Sequence, residues 1–412
     1  MKPQIRHIAH RLASCLTMSL AAGALGCDQE KFAPSTPESS PELAAASAPL
    51  SFVQVSTGTF HSCGVTTEGR AYCWGANDKG QLGDGTTFIN TSRTTPSEVI
   101  GGHRFRHVSL GYEHSCGVTL DDRVFCWGMN FFGQLGNGTQ GSDHFSVAVP
   151  AEVVGGRRFR QVRAGYSHTC AITRTNVAFC WGENIYGQLG NGTTVGSATP
   201  DRGSARPVRV LGDIQWRQLS GGGEHTCGVS QTDQVYCWGL NENGQLGIGN
   251  TVNRTKPVPV SGGRQFRQVE AGGHHTCGVT TGNLAYCWGL NFNGALGDGT
   301  TAQRLTPGAV AGLRRFDNVT AGDLHSCGVT LTGRGFCWGR NETGQLGDGT
   351  RNNRLTPVAV GGSLVLTQIS AGLFHSCGVT TGDRAYCWGS GGAIGDGTFT
   401  PRLTPVPVVG PM

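Results

Sequence analysis

Hydrophobic and polar residues alternate along short stretches of this chain, with the period of two that marks a β-strand rather than the period of 3.6 that marks an amphipathic helix. Residues 266–310 show the pattern well, because the apolar stretches are separated by Gly- and Asn-rich segments that favour turns. A hairpin turn falls on residues 281–283, and a loop on 289–306. The pattern predicts four antiparallel strands in this unit, at 266–271, 276–280, 284–288 and 307–310.

This unit recurs seven times and fills residues 51–412. Each copy contains His-Ser/Thr-Cys, then a second cysteine ten residues after the first, followed by Trp-Gly. Most copies continue with Asn-x-x-Gly-Gln-Leu-Gly-Asp/Asn-Gly-Thr and a Pro-x-x-Val segment. The repeat histidines are spaced 50 to 57 residues apart, at His61, His114, His168, His225, His275, His325 and His375. A period near 50 predicts one propeller blade per repeat, and so an all-β, seven-bladed β-propeller of four-stranded antiparallel blades.

Composition supports this fold class. Glycine accounts for 67 of 412 residues and only 14% of residues are charged, which favours short strands and tight turns over long helices.

The repeat pattern resembles the repeats of the regulator-of-chromosome-condensation family. The matching residues in the fifth copy are Val269-x-Ala271-Gly272-x-x-His275, Cys287-Trp288-Gly289-x-Asn291-x-x-Gly294 and Leu296-Gly297-Asp298-Gly299. The resemblance implies a seven-bladed propeller and little about activity. The nuclear namesake is an exchange factor for a small GTPase and binds chromatin, whereas a secreted bacterial member inhibits β-lactamase. This chain departs from the nuclear type in its export signal and its many cysteines, and both features argue against nuclear exchange activity.

The N-terminus is predicted to be a lipoprotein-type signal peptide covering residues 1–26. Basic residues precede an apolar stretch that is too short to span a membrane, and Cys27 follows Gly26. Cys27 is therefore the predicted lipidation site of a bacterial envelope protein, anchored in the inner or the outer membrane. The alternative is ordinary signal cleavage after Ala24, which would leave Cys27 as a free thiol on a secreted protein. Residues 27–50, rich in Pro, Ser and Ala, are predicted to be a flexible tether.

Charge and motifs limit the partners. Removal of the signal, with its three basic residues, leaves 29 basic and 27 acidic residues and no Lys/Arg stripe, so we expect no nucleic-acid binding. No nucleotide loop, catalytic triad or paired-carboxylate signature stands out. We therefore predict a monomer without catalytic residues or cofactor, which contacts the membrane only through its lipid and binds an unidentified protein or extracellular ligand.

The remaining cysteines form seven pairs with i, i+10 spacing. A hairpin centred on residue 68 places Cys63 opposite Cys73, and directly opposed strand residues lie about 5 Å apart, within reach of a disulfide. Metal binding is the alternative, but this spacing fits no zinc pattern well. The predicted disulfides join Cys63 and Cys73, Cys116 and Cys126, Cys170 and Cys180, Cys227 and Cys237, Cys277 and Cys287, Cys327 and Cys337, and Cys377 and Cys387.

The other repeated residues are interpreted as structural. Catalytic sites are asymmetric, so a histidine that recurs in every repeat is expected to fill a turn and to hydrogen-bond the backbone. Each repeat tryptophan adjoins a cysteine, points to the opposite sheet face and packs between blades. The aspartates of the Asp-Gly-Thr loops are expected to form Asx-turns rather than to bind calcium; they are Asp84, Asp298, Asp348 and Asp396.

Residues that break the repeat are the candidates for recognition. The polar residues that break the consensus just before the repeat histidine are the candidates for an active site: Glu113, Glu224, Asp323 and His274. The position directly before the histidine varies, which indicates either tuning for a ligand or drift; its residues are Phe60, Glu113, Ser167, Glu224, His274, Leu324 and Phe374. The third-to-fourth-strand loops are longer in repeats one to three than in the others, and we expect them to share one face of the ring with the first-to-second-strand turns. These loops carry the candidate binding residues Phe88, Ile89, His144, Phe145, Asp201 and Arg202. The alternative is that long surface loops merely tolerate insertion.

Two classes of function remain. The favoured one is a non-catalytic binding scaffold displayed on the bacterial cell envelope. The alternatives are an envelope enzyme, such as a propeller lyase or glycosidase, and an inhibitor of a secreted enzyme. A carboxylate or histidine cluster at one mouth of the ring, not repeated by symmetry, would favour the enzyme, whereas a broad aromatic face without such a cluster would favour the scaffold.

Overall fold

A computed structural model of the chain describes residues 50–87, 91–141, 145–195 and 202–411. The predicted signal peptide, Cys27 and all but the last residue of the predicted tether lie outside these ranges. The described residues form twenty-eight strands in seven blades. Blades one to four are β1 Phe52–Thr57, β2 His61–Thr66, β3 Ala71–Gly75 and β4 Arg93–Glu98; β5 Phe105–Leu110, β6 His114–Thr119, β7 Val124–Met129 and β8 Ser146–Glu152; β9 Phe159–Ala164, β10 His168–Thr173, β11 Ala178–Glu183 and β12 Gly203–Arg209; and β13 Trp216–Gly221, β14 His225–Ser230, β15 Val235–Gly239 and β16 Arg254–Pro259.

Blades five to seven repeat the plan, and a 3-10 turn, Gly391–Ala393, lies between the last two strands. Their strands are β17 Phe266–Ala271, β18 His275–Thr280, β19 Ala285–Gly289 and β20 Arg304–Ala309; β21 Phe316–Ala321, β22 His325–Thr330, β23 Gly335–Gly339 and β24 Arg354–Ala359; and β25 Leu366–Ala371, β26 His375–Thr380, β27 Ala385–Gly389 and β28 Arg402–Pro407. The part of the chain that the structure describes contains no helix long and apolar enough to cross a membrane.

The seven blades form a closed ring. Each sheet contains four consecutive antiparallel strands, and the first strand of each blade contacts the first strands of its neighbours, so the first strands surround the centre. Blade one closes the ring by packing β1 against β25 and β26 of blade seven, without exchanging a strand between the termini. The predicted all-β, seven-bladed propeller is confirmed.

The predicted strands of repeat five are close to those observed, except for the fourth. The sequence pattern predicts this strand at 307–310, whereas it spans Arg304–Ala309, because Arg304 pairs with Gly289 across an irregularity in the register. Pro307 is tolerated inside it because the fourth strand is the outer edge of its sheet, where a missing N–H breaks no ladder.

All seven predicted disulfides are present. In every blade the two cysteines are directly opposed on the second and third strands, with Cα–Cα distances of 4.0 to 4.1 Å. The side chains of all fourteen paired cysteines are buried. Disulfides form and persist in oxidising compartments, so this framework is consistent with an exported protein.

Tryptophans and disulfides alternate through the blade interfaces. Trp127 of blade two packs in one cluster with Cys63 and Cys73 of blade one, and Trp74 of blade one packs with the Cys377–Cys387 pair of blade seven. Neighbouring strand residues point to opposite faces of the sheet. In each blade the disulfide therefore packs against one neighbouring blade and the indole of the adjacent tryptophan packs against the other. The predicted packing role of the tryptophans is confirmed.

The repeat histidines bind the next blade rather than the backbone, which differs from the sequence-based expectation. His61 Nε2 lies 2.9 Å from Ser115 Oγ, and Ser115 donates its hydroxyl hydrogen to Gln81 O. Since a hydroxyl has one hydrogen, Nε2 is the donor to Ser115. Burial lowers the pKa of His61 to about 3, so the imidazole is neutral. The same arrangement recurs at all seven interfaces, and the Nδ1 atoms of all but His275 are buried without a partner. Sequence spacing alone could not reveal a partner that lies in another repeat.

A belt of amide side chains also ties the first strands together. Gln268 donates from Nε2 to Val319 O at 2.9 Å, and its Oε1 accepts from Val319 N at 3.0 Å. Gln54, Gln218 and Gln368 make the same paired bonds to their next blades. The belt compensates for the absence of a continuous sheet between blades, because each bond joins two separate sheets.

Candidate binding face

The first-to-second-strand turns and the third-to-fourth-strand loops share one face of the ring, as predicted. In every blade, the residue after the third-strand glycine donates its backbone N–H to the carbonyl of the residue before the repeat histidine. Ala76 N, for example, donates to Phe60 O at 2.9 Å. We call this side of the ring the mouth face. The hairpin turns between second and third strands lie at the other end of the same strands, on the opposite face.

Seven glycines form a ring at the mouth of the central channel. They precede the repeat histidines by three residues, and a methyl group on each would collide with the carbonyl oxygen of the next glycine around the ring. These glycines let seven backbones approach closely, which narrows the channel to a cavity of about 90 Å³ beside Tyr166 and Asp323. They are Gly58, Gly111, Gly165, Gly222, Gly272, Gly322 and Gly372.

Tyr166 and Asp323 close the mouth. The Tyr166 hydroxyl donates to the Asp323 carboxylate across the ring, from blade three to blade six. Burial, together with the Asp323 charge, raises the pKa of Tyr166 well above its ordinary value, so the phenol stays protonated as a donor.

An aromatic crescent of four side chains, Phe374, Phe60, Tyr112 and Tyr166, follows half of the mouth. Ring centroids of successive members are 5.7, 6.3 and 5.6 Å apart, distances typical of favourable aromatic pairs. Phe60 is 43% exposed and Tyr112 38% exposed. An apolar groove of about 190 Å³, lined in part by Phe60, Phe374 and Phe399, extends the crescent outward between blades seven and one.

Three acidic residues lie beside the crescent, in blades three and four. Glu183 ends β11, Glu224 lies in the β13–β14 turn and Glu242 lies in the loop after β15; we call these three the acidic arc. Burial raises the pKa of Glu183 to about 7, and Glu224 adds to this shift. Burial likewise raises the pKa of Glu224, which Glu242 reinforces and His274 opposes. Glu113 has the position of Glu224 in blade two, and Glu342 that of Glu242 in blade six, but no other blade has a carboxylate at the position of Glu183.

Two charged residues of opposite sign, Arg163 and Glu270, line the central channel behind the mouth. The fifth position of the first strand contributes hydroxyls in five blades, but Arg163 in blade three and Glu270 in blade five. The cavity that they help to line measures about 320 Å³. Glu270 accepts from Ser220 Oγ at 3.1 Å and from Gln218 Nε2 at 3.0 Å, and burial raises its pKa while Arg163 opposes the shift.

Only two of the six candidate binding residues in the loops, Phe145 and Arg202, lie among the described residues. Phe88, Ile89, His144 and Asp201 lie outside the described residues. Phe145 and Arg202 are half-buried and directly precede the fourth strands of their blades, with carbonyls that accept from Asn130 N at 2.9 Å and Asn184 N at 3.0 Å. Their backbones therefore fasten the loop ends to the scaffold, and a binding role for these loops stays a prediction.

The Asp-Gly-Thr aspartates form the Asx-turns that the sequence predicted. Asp298 Oδ1 accepts from Thr300 N at 3.0 Å, and the second oxygen pairs with Arg304. Asp84, Asp348 and Asp396 repeat both contacts. Among the described residues, no group of three or more His, Cys, Asp or Glu side chains could hold a metal ion.

Sequence reasoning found Phe60, Phe374, Glu224, His274 and Asp323 but missed other parts of the mouth. The missed residues are Tyr112, Tyr166, Glu183, Arg163 and Glu270. Aligning the repeats could have revealed four of them. Tyr112 and Tyr166 lie two positions before the repeat histidine, and Arg163 and Glu270 lie at the fifth position of the first strand. Glu183 required the structure, because it reaches the mouth from the end of a third strand.

These elements define a seven-bladed β-propeller with an aromatic crescent and an acidic arc at one mouth. Comparison with known proteins then identifies the family. Residues 19–317 match the model of the RCC1-like domain, and residues 332–379 match that of the regulator of chromosome condensation (RCC1) repeat. The chain therefore belongs to the RCC1-like domain family.

Individual relatives share the fold at modest identity. The ultraviolet-B receptor UVR8 of Arabidopsis thaliana is 32% identical over 205 residues, which are 49% of this chain and 44% of UVR8. The chain thus spans less than half the length of this curated relative. Human WBSCR16 superimposes with a TM-score of 0.73 at 22% identity, covering 82% of this chain and 93% of that one. Saccharomyces cerevisiae Prp20p gives 0.71 at 19% identity, covering 87% of each chain.

Proposed function

We propose that this protein is a non-catalytic binding scaffold, displayed on the bacterial cell envelope through a lipid on Cys27, and that it binds a protein at the mouth face. The aromatic crescent carries the proposal. Most of the propeller repeats with sevenfold regularity, whereas exposed Phe60 and Tyr112 occupy positions that vary from blade to blade. Exposed aromatic side chains on a rigid scaffold are effective anchors for a partner.

The family supports a role in binding. The Prp20p structure is described together with its binding properties to Gsp1p and histones, so a propeller of this fold binds proteins. Export is supported by the predicted signal peptide and by seven buried disulfides. Lipidation of Cys27 would place the propeller at the membrane surface on the tether predicted for residues 27–50.

The test is capture of a partner by face-specific variants. The mature protein, the double variant Phe60→Ala/Tyr112→Ala and a control are each incubated with envelope extract and cross-linked. The control, Leu120→Ala/Leu331→Ala, removes two side chains that are 58% and 54% exposed on the opposite face. We expect the mouth variant to lose the partner and the control to retain it, with all three proteins showing the same thermal unfolding midpoint.

The outcome of the capture experiment would also define the biological role of the protein. A partner that binds the mouth variant and the wild type equally would refute the mouth face as the binding surface. A captured secreted enzyme whose activity falls on binding would identify the protein as an inhibitor.

A second candidate, an envelope lyase or glycosidase, is favoured by Glu183 and Glu224. Their raised pKa values are the property that a general acid needs near neutral pH. Its test is turnover of envelope and extracellular polysaccharides. Turnover that is abolished by Glu183→Gln or Glu224→Gln would establish the enzyme and refute the non-catalytic scaffold.

A further inference from the structure

The acidic arc lies at the mouth beside the aromatic crescent. Glu183 is held there by its backbone N–H, which donates to Ser167 O at 2.9 Å in the first-to-second-strand turn of the same blade. Glu224 occupies the equivalent turn of the next blade. Tyr186 lies within electrostatic reach of Glu183, Glu224 and Glu242. The three carboxylates therefore contribute negative potential to one region of the mouth, around Tyr186.

Glu183 is buried, and its carboxylate has no hydrogen-bond or ion-pair partner among the residues that the structure describes. It is only 8% exposed, and among the described residues no basic side chain forms an ion pair with any member of the arc. Arg202 acts on it only through space. By contrast, Asp84 and Asp298, whose side chains are 6% and 4% exposed, each pair with an arginine. Burying a carboxylate without a counter-ion is costly, so this position would be stabilised by a cation from outside.

The chemistry of the arc favours an organic cation over a metal ion. The described residues here do not form a group that could hold a metal. An ammonium or guanidinium group instead needs only a few carboxylate oxygens as acceptors. The adjoining crescent supplies apolar area for the residues on either side of such a group, which a free small amine would not use.

We propose that the acidic arc receives a lysine or arginine side chain of the protein partner, while the aromatic crescent packs against apolar residues beside it. This inference rests on the proposed function and specifies the chemistry of the partner. Its binding segment carries a basic residue next to aromatic or aliphatic ones. The charge of the arc is complementary to that segment and repels an acidic one.

A random dodecapeptide phage library provides a probe that needs no known partner. Selection is carried out on the mature wild-type protein, on Glu183→Gln/Glu224→Gln and on the opposite-face control Glu68→Gln. We expect wild type and control to enrich Lys or Arg beside aromatic or aliphatic residues, and the arc variant to lose the basic preference. A synthetic peptide from the wild-type selection should bind the arc variant at least tenfold more weakly by fluorescence anisotropy.

The affinity for that peptide should rise between pH 6 and pH 8. The charges that face Glu183 are Glu224 and Arg202, and the ionised form of Glu183, which pairs with the cation, becomes dominant above a pKa of about 7. The arc variant should lose most of this pH dependence, whereas Glu68→Gln should retain it. A pH-independent affinity in the wild type would contradict the proposal.

The outcomes separate this inference from the proposed function. Peptides that depend on Phe60 and Tyr112 but show no basic preference would overturn only the inference. Peptides insensitive to every mouth-face variant, or no enrichment at all, would overturn both. Free lysine amide that binds as tightly as the peptide would overturn the assignment to a protein segment.

Discussion

Lowering the pH should destabilise this propeller steeply, because its blade interfaces contain buried neutral histidines. Burial lowers the pKa of His61, His114, His225, His275 and His325 to about 3, and that of His168 and His375 to about 4. An unfolded histidine titrates near 6.5. Below that pH the unfolded chain therefore binds protons that the folded chain excludes, and the free energy of unfolding falls as pH falls.

The magnitude follows from the number of these histidines. From pH 7.5 to 5.5 each one contributes a loss of about 1.4 kcal/mol. His107, whose pKa burial also lowers to about 3, adds an eighth, so the total is about 11 kcal/mol. Glu183, Glu224 and Glu270 act with the opposite sign, because burial raises their pKa values and the folded state binds their protons first. Each can offset at most about 2.7 kcal/mol over two pH units, so the three together offset at most about 8 kcal/mol. The expected net loss is about 3 to 11 kcal/mol, comparable with the whole stability of a typical domain.

Guanidinium unfolding at pH 7.5, 6.5 and 5.5, followed by tryptophan fluorescence without reductant, measures this loss. His275→Gln is the matched variant, because its amide can still donate to Ser326, which His275 Nε2 approaches at 2.7 Å. Its stability should decline by about 1.4 kcal/mol less over the same range, since it lacks one titrating group. A wild-type stability that changes by less than about 1 kcal/mol, or that rises toward pH 5.5, would refute the reasoning.

Three further predictions concern the disulfides, the anchor and the loops. Replacing Cys277 and Cys287 with Ser should leave the circular dichroism unchanged and lower the free energy of unfolding by up to about 2.7 kcal/mol, the chain-entropy value for a loop of about 11 residues; free thiols or links between blades in non-reducing peptide maps would contradict the pairing. Cys27→Ser should release the protein from the membrane fraction or block its maturation, whereas an unacylated mature wild-type N-terminus upstream of Cys27 would refute lipidation. Shortening 140–149 and 194–206 to the length in repeat five should leave the propeller folded, and unchanged affinity for a captured partner would place recognition outside these loops.

The repeated part of this protein was determined by its sequence. Cys63 and Cys73 can be paired from their spacing alone, because a hairpin of fixed length allows one register. Trp74 can be assigned to the opposite face, because adjacent strand residues alternate. Such inferences succeed where the interacting residues are close in sequence and where seven copies report the same geometry.

The tertiary structure decided how the copies interact and where they differ. The histidine of each repeat binds a hydroxyl of the next, so a single repeat contains only half of the contact. Tyr166 and Asp323 are 157 residues apart. Glu183 lies within electrostatic reach of Glu224 because two different connections converge on one mouth. Closure of the ring brings these residues together, and no local pattern encodes the distance between positions on different blades.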